Sequence, residues 1–235
     1  MTFEEIYAQL QALGTEQNRK IYRRHGASGD LFGVSFANFS QLKKQLTGRG
    51  KDAAHAHALA QQLWATRNFD AQLLATMIAD PRQLTEVAAD AWAADTHCHM
   101  LADALATLVG GTQYAQGKVR EWTSSPGEMH QRIGYSLLNG LALRSSALPD
   151  SFFEPFIARI EAGIAVAPNR AKEAMNNCLI GMGSRNETLR QQVEAAADRI
   201  GPVSIDHGDT SCQTFEVRPY LAKVWARKTK SVPAV

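Results

Sequence analysis

Apolar residues recur at intervals of three and four along almost the whole chain. The pattern is clear in Leu59 and Leu63, and again in Leu73 and Met77. This interval matches the α-helical repeat and places the apolar side chains on one face of each helix. Strand-like alternation is scarce, and only residues 203–206 have a composition that suits a strand. The pattern therefore predicts an all-α protein.

Capping and helix-breaking residues divide this pattern into about a dozen helices. Thr2 and Glu5 have the spacing of a capping box, so a first helix is predicted to run to about Leu13, before Gly14. A second helix contains Tyr22 and is followed by a glycine-rich loop. Further helices are predicted near residues 36–47, 52–66, 69–79, 82–93, 95–109, 113–123, 128–145, 151–162, 169–182 and 187–200.

Helices of this length cannot bury their apolar faces alone. Their short connections favour antiparallel pairs that stack on one another as an α-solenoid. No repeat of fixed period is visible in the sequence, so an irregular helical bundle is the alternative interpretation. The length is compatible with a single domain over residues 1–235, in which residues 201–235 form a C-terminal extension.

The composition is that of an ordinary folded protein, with 45% hydrophobic and 20% charged residues. Cys98, Cys178 and Cys212 are too widely spaced for a disulfide framework or a four-cysteine zinc site. No apolar run approaches the roughly 20 residues of a membrane-spanning helix. The N-terminus carries acidic residues where a signal peptide carries basic ones. We therefore expect a cytoplasmic monomer without membrane contact.

The formal net charge of +2 does not by itself indicate a polyanionic partner. Basic residues are nevertheless clustered along the chain, and such clusters occur both on solvated helix faces and on surfaces that bind phosphates. The clusters are Lys20, Arg23 and Arg24; Lys43, Lys44, Arg49 and Lys51; and Arg218, Lys223, Arg227, Lys228 and Lys230. Their placement in the fold has to decide between the two interpretations.

Four stretches together resemble the DNA alkylation repair (AlkD-like) family. They are DLFGVSFANFSQLKKQ at 30–45, LWATRNFDAQLLATMIAD at 63–80, EMHQRIGYSLL at 128–138, and AMNNCLIGMGSRNETLR at 174–190 with its continuation RIGPVSIDHGDTSCQT at 199–214. The first is similar to the family's FLGV segment and the helix that follows it. The last is similar to one branch, whose members end in a comparable Asp-His-Gly segment.

The resemblance implies a right-handed superhelix of antiparallel HEAT-like helix pairs with a basic concave face that holds duplex DNA. It implies no cofactor and no metal. Cationic side chains on such a face neutralise phosphates, so the affinity for DNA should fall with salt. The resemblance points first to Arg132 as a phosphate contact; the other predicted DNA-binding residues are Lys43, Lys44, Lys172 and Asn177.

Glycosylase members of this family excise cationic N3- or N7-alkylated purines. The leaving base already carries positive charge, so the main requirement is to stabilise the oxocarbenium character of the deoxyribose, and a nearby carboxylate supplies that field. Two tryptophans frame the nucleotide, because the negative faces of their rings favour cationic groups.

The resemblance assigns the catalytic carboxylate to Asp95 and its accompanying tryptophan to Trp92. The family spaces these residues four apart, which would put Ala91 at the tryptophan position. The second tryptophan corresponds to Asn177, which has no aromatic face. Trp64 is interpreted as a core residue. Both excision of alkylated bases and binding of branched or bent DNA without excision remain open.

A metal-dependent hydrolase is a rival hypothesis. The sequence DTHCH at 95–99 resembles the His-x-His motif of TatD-type metal-dependent DNases, but side chains two apart on a helix point away from each other. A metal site that combines His97 or His99 with a C-terminal donor stays open; the donors are Asp206, His207, Asp209 and Cys212. The alternative for that C-terminal segment is a structured turn around Gly208.

A second rival is a non-catalytic scaffold. An α-solenoid can bind a protein or peptide in its concave face. A net charge close to zero is compatible with such a partner.

Overall fold

The computed structural model describes residues 1–231, and the last four residues of the predicted extension lie outside this range. The described chain forms thirteen α-helices and no strand. No helix in that range combines the length and hydropathy needed to cross a bilayer. The helices are α1 Phe3–Leu13, α2 Glu16–Arg24, α3 Phe36–Thr47, α4 Ala53–Ala65, α5 Phe69–Ile78, α6 Glu86–Asp95, α7 His99–Val109, α8 Ala115–Trp122, α9 Glu128–Arg144, α10 Asp150–Gly163, α11 Asn169–Gly183, α12 Glu187–Ile200 and α13 Val217–Ser231.

Side-chain caps set most helix starts. The capping box between Thr2 and Glu5 is confirmed, since each side chain accepts a hydrogen bond from the other residue's backbone N–H. The predicted start of α6 at residue 82 was wrong, because Asp80 holds the following residues in a turn and Thr85 is the cap. Asp95 consequently ends α6, whereas the sequence pattern placed it at the start of the next helix.

Two features of the C-terminal extension differ from the sequence prediction. Residues 203–206 form no strand; instead, the backbone of Asp206 exchanges two hydrogen bonds with the side chain of Asn169. Helix α13 was not predicted. Its first two turns bury Val217 and Leu221, which are four residues apart and therefore lie on one helix face.

The internal packing of the described chain falls into two compact units. The N-terminal unit contains residues 1–117 together with Gly208–Thr210. Its core is built around α5, in which every residue except Met77 is buried. A helix that is apolar on most of its circumference has to be central, and α5 packs on α3, α4 and α7.

A buried carboxylate organises the loop before α3. Asp70 accepts hydrogen bonds from the backbone N–H groups of Phe32, Gly33 and Val34 at 2.6, 3.0 and 2.7 Å. Burial raises the pKa of Asp70, although these backbone hydrogen bonds act in the opposite direction. Gly33 has a φ of +81°, and a Cβ there would lie 2.5 Å from the carbonyl oxygen of Thr15. The FLGV-like segment is therefore part of the scaffold.

The C-terminal unit contains residues 118–207 and the chain from Ser211. Its main packing is between α9 and α11, with α12 on α10 and α11. Arg185, just after α11, donates hydrogen bonds to the carbonyl oxygens of Ala142, Ser145 and Leu148. Since the last carbonyls of a helix have no partner within it, this arginine caps the C-terminus of α9.

Helix α9 approaches the end of α8 closely at Gly134. A Cβ at this position would lie 2.6 Å from the backbone nitrogen of Thr123 and 2.9 Å from the carbonyl carbon of Trp122. We expect Gly134→Ala to destabilise the protein by about 2 kcal/mol, because backbone atoms cannot move aside cheaply. Urea denaturation of the full chain measures this change.

Gly117→Ala is the matched control, since Gly117 is also helical but has nothing within 4 Å of a built Cβ. There alanine should stabilise the protein by roughly 0.5–1 kcal/mol through its higher helix propensity. Equal stability of the two variants would contradict the close approach at Gly134.

Candidate nucleic-acid interface

The predicted catalytic residues Asp95 and Trp92 lie together at the end of α6, and both contact Trp64 of α4. The rings of Trp64 and Trp92 are parallel, with an interplanar angle of 1° and centroids 4.2 Å apart. The Trp64 indole N–H donates to the Asp95 carboxylate at 3.2 Å. Side chains three apart on a helix share a face, so α6 presents both groups to the same indole.

This stacking hides the aromatic surface that a nucleotide would need. Trp64 is 3% exposed and Trp92 is 6% exposed. Each ring already has a partner on one face, and neither projects into solvent. The sequence indicated Trp64 only as a core residue, and it is buried as expected, but its hydrogen bond to Asp95 could not be anticipated.

Arg67 adds a positive charge beside Asp95. It has a φ of 58°, in the left-handed region, at the turn between α4 and α5. One guanidinium nitrogen lies 3.8 Å from the Asp95 carboxylate, and the arginine side chain is largely exposed. A neighbouring cation offsets the negative field that stabilises an oxocarbenium-like transition state.

Arg132 of α9, predicted to contact phosphate, is buried in the C-terminal unit. Its side chain is 4% exposed, lies 2.6 Å from the Glu173 carboxylate and donates to the Arg170 carbonyl oxygen at 3.2 Å. Burial alone would raise the pKa of Glu173, but the guanidinium groups of Arg132 and Arg170 hold it below its usual range. This ion pair joins α9 to α11.

The other predicted cations are more accessible. Lys43 and Lys44 are exposed on α3 in the N-terminal unit, and Lys172 is half-buried in the first turn of α11. Within the described residues, none of the three forms an ion pair with a carboxylate. Their charge is therefore available to a polyanion.

Asn177 lines a cavity of about 860 Å³ in the C-terminal unit. The preceding residue, Asn176, is buried and donates to the carbonyl oxygen of Phe215 at 2.9 Å. Asn169 and Asn176 are seven residues apart, so they lie on the same face of α11 and hold the extension at two points. Asp206 and Phe215 of the extension are thus both held on α11.

The residues of the metal hypothesis do not form a cluster. Among the described residues, no group of three or more His, Cys, Asp or Glu side chains is placed to hold a metal ion. His207 instead shares a hydrogen bond with the Thr214 hydroxyl at 3.0 Å. Gly208 adopts a φ of 62°, as a structured turn requires.

Comparison with known families assigns the chain to a class. Residues 6–208 match the family of DNA alkylation repair enzymes. This match covers most of the sequence, so the chain belongs to that family. The resemblance inferred from the four sequence stretches is confirmed.

Individual relatives extend over nearly the whole chain. Two uncharacterized proteins, from Listeria innocua and Listeria monocytogenes, are each 26% identical over 227 residues, which is 95% of this chain and 97% of theirs. A solved structure has a TM-score of 0.85 at 27% identity and covers 97% of this chain and 95% of its own. It is described as a new family related to the HEAT-like repeat DNA glycosylases, with affinity for branched DNA structures. The predicted all-α class of HEAT-like helix pairs is confirmed.

The buried ion pair gives a stability prediction that separates two roles for Arg132. Replacing it in Arg132→Met leaves Glu173 buried with one guanidinium partner fewer, so we expect a loss of about 3 kcal/mol at neutral pH in urea denaturation. In the wild type, the pKa of Glu173 is lowered from the usual glutamate value of 4.5, so its ionised carboxylate stabilises the fold above pH 4.5. This contribution disappears as the pH falls below that value. The difference in the free energy of unfolding between the wild type and Arg132→Met should therefore become smaller in acid.

Lys172→Met is the control, because it removes a neighbouring charge that has no carboxylate partner in the described structure. It should change the free energy of unfolding by less than about 0.5 kcal/mol. If Arg132→Met were equally harmless, Arg132 would not be a structural residue.

Proposed function

We propose that this protein binds DNA through the phosphate backbone, prefers branched forms and does not excise bases. Membership in the DNA alkylation repair family and the similarity to a HEAT-like protein with affinity for branched DNA support the binding. The stacking of Trp64 on Trp92, with its 4.2 Å centroid separation, is the observation that argues against excision.

The binding part of the proposal depends on cations that form no ion pair within the described residues 1–231. Lys43 and Lys44 are adjacent on α3 and both are exposed, while Leu42 and Leu46 bury another face of the helix in the core. Lysines that neutralise phosphates release condensed counterions, which makes binding strongly dependent on salt. Arg132 is assigned a positioning role through its buried ion pair with Glu173.

The surroundings of Asp95 support the part of the proposal that excludes excision. Its carboxylate accepts a hydrogen bond from Trp64 and lies next to the Arg67 guanidinium. The two tryptophans stack on each other, and Asn177 stands where the resemblance would require a second aromatic wall. A cationic base or sugar would find no free aromatic face at this carboxylate.

Phosphate contacts from α3 predict a change in salt dependence. For a four-way DNA junction, the double variant Lys43→Gln, Lys44→Gln should reduce the slope of log affinity against log salt by about 1.8, because each phosphate contact contributes roughly 0.9. Fluorescence anisotropy at several salt concentrations measures this slope.

A matched control removes the same charge from cations that are already paired. Arg199 and Arg218 form bidentate ion pairs with Glu161 and Asp198. The double variant Arg199→Gln, Arg218→Gln should leave the slope nearly unchanged. Equal slopes for the lysine and arginine variants would show that only net charge matters and would contradict contact through α3.

The excision hypothesis has its own test. Methylated duplex DNA is incubated with the wild type, with Asp95→Asn and with an excision-active family member as positive control, and released bases are quantified by chromatography. We expect no release above background from either form of this protein, because the tryptophan faces beside Asp95 are covered. Release by the wild type that Asp95→Asn abolishes would establish a glycosylase instead.

A further inference from the structure

The cavity in the C-terminal unit has the composition of a nucleotide site. It has a volume of about 860 Å³ and is lined by residues of α9, α11 and α13. This volume lies within the range of about 300–1,000 Å³ found for small-molecule sites. Among the described residues that line it, three are cationic and none is acidic; the cations are Arg144, Arg185 and Lys228.

Two amide side chains in the wall lack hydrogen-bond partners. The Oδ1 atom of Asn139 is buried without a partner, and it packs against Gly181, where a Cβ would lie only 1.9 Å away. Asn177 also lines the cavity, and its side chain forms no hydrogen bond within the described residues. The Asn139 oxygen is covered by Gly181, whereas the Asn177 amide is only half-buried and is available to a polar ligand in the cavity. Carboxamides match the donors and acceptors on a base edge.

Aromatic rings from the extension form one side of the cavity. Phe215 is 54% exposed, and its ring centroid lies 5.0 Å from that of Tyr220. The backbone of Phe215 is fixed by the hydrogen bond from Asn176 at 2.9 Å, so the ring is held at this site although solvent reaches it. Exposed aromatic rings in a basic groove are the groups on which unpaired bases stack.

Arg144 supplies a cation at the same cavity. It is exposed at the end of α9, and its guanidinium lies over Gly140, where a Cβ would be 2.3 Å from one of its nitrogens. It forms no ion pair within the described residues. An arginine in this position can bind a phosphate while the neighbouring wall receives the base.

We propose that this cavity holds one unpaired nucleotide of a branched DNA. The base stacks on Phe215 and Tyr220, the amide of Asn177 meets its polar edge, and Arg144 binds its phosphate. This inference rests on the proposed function and adds a reason for a preference for forked DNA: a fork offers unpaired nucleotides next to its branch point, which a linear duplex does not.

The test uses a forked DNA with 2-aminopurine in the unpaired arm next to the branch point. Binding to the wild type should change the 2-aminopurine fluorescence as the base stacks on an aromatic ring. In Phe215→Ala this change should disappear and the affinity for the fork should fall about tenfold. Arg144→Gln, a second surface variant, should lower the affinity for the fork but keep the fluorescence change. The affinity of both variants for fully paired duplex should match that of the wild type.

Phe36→Ala is the matched control, because Phe36 is 52% exposed and also lies beside other aromatic rings, but in the N-terminal unit. It should leave both fork binding and fluorescence unchanged. Fork binding and fluorescence in Phe215→Ala equal to the wild type, or equal losses for fork and duplex, would overturn the cavity assignment while leaving DNA binding intact. Failure of the wild type to bind either DNA would overturn the proposed function itself.

Discussion

The C-terminal unit depends on the buried ion pair between Arg132 of α9 and Glu173 of α11. Two charges removed from water are tolerated only when each finds close partners, and here Arg170 gives Glu173 a second guanidinium at 3.2 Å. With one side of α11 fixed against α9, Asn169 and Asn176 hold the extension along the same helix. One helix thereby positions both the accessible charge of Lys172 and the amide of Asn177.

In the N-terminal unit, two carboxylates take part in packing, one of them buried and the other partly exposed. Asp70 is enclosed and satisfied by three backbone N–H groups, which fixes the loop at 32–34. Asp95 is partly exposed and is held by the Trp64 indole while Trp92 stacks on the same ring. Asp95, which the family resemblance assigned as the catalytic carboxylate, thus takes part in the packing between α4 and α6. This supports the proposal that the protein binds DNA without excising its bases.

Local signals were sufficient for most of the fold. The apolar interval and the glycine breaks predicted helix 169–182, which the structure places at Asn169–Gly183, and Thr2 with Glu5 fixed the first helix start. Contacts between residues far apart in the sequence could not be predicted from such local signals. Arg132 has the sequence environment of a surface arginine, because its partner Glu173 is 41 residues away. Helix α13 was overlooked since the buried residues Val217 and Leu221 stand among many basic ones.

Competition between DNA forms measures whether this protein prefers branched DNA to a linear duplex. A labelled four-way junction bound to the wild-type protein is displaced with unlabelled junction or with linear duplex of the same length and sequence, at a fixed salt concentration near the physiological value. Since DNA affinities depend steeply on salt, the two competitors have to be compared in one buffer. We expect displacement by the junction at a much lower concentration than by the duplex. Equal displacement by both, or no binding of the labelled junction, would contradict it.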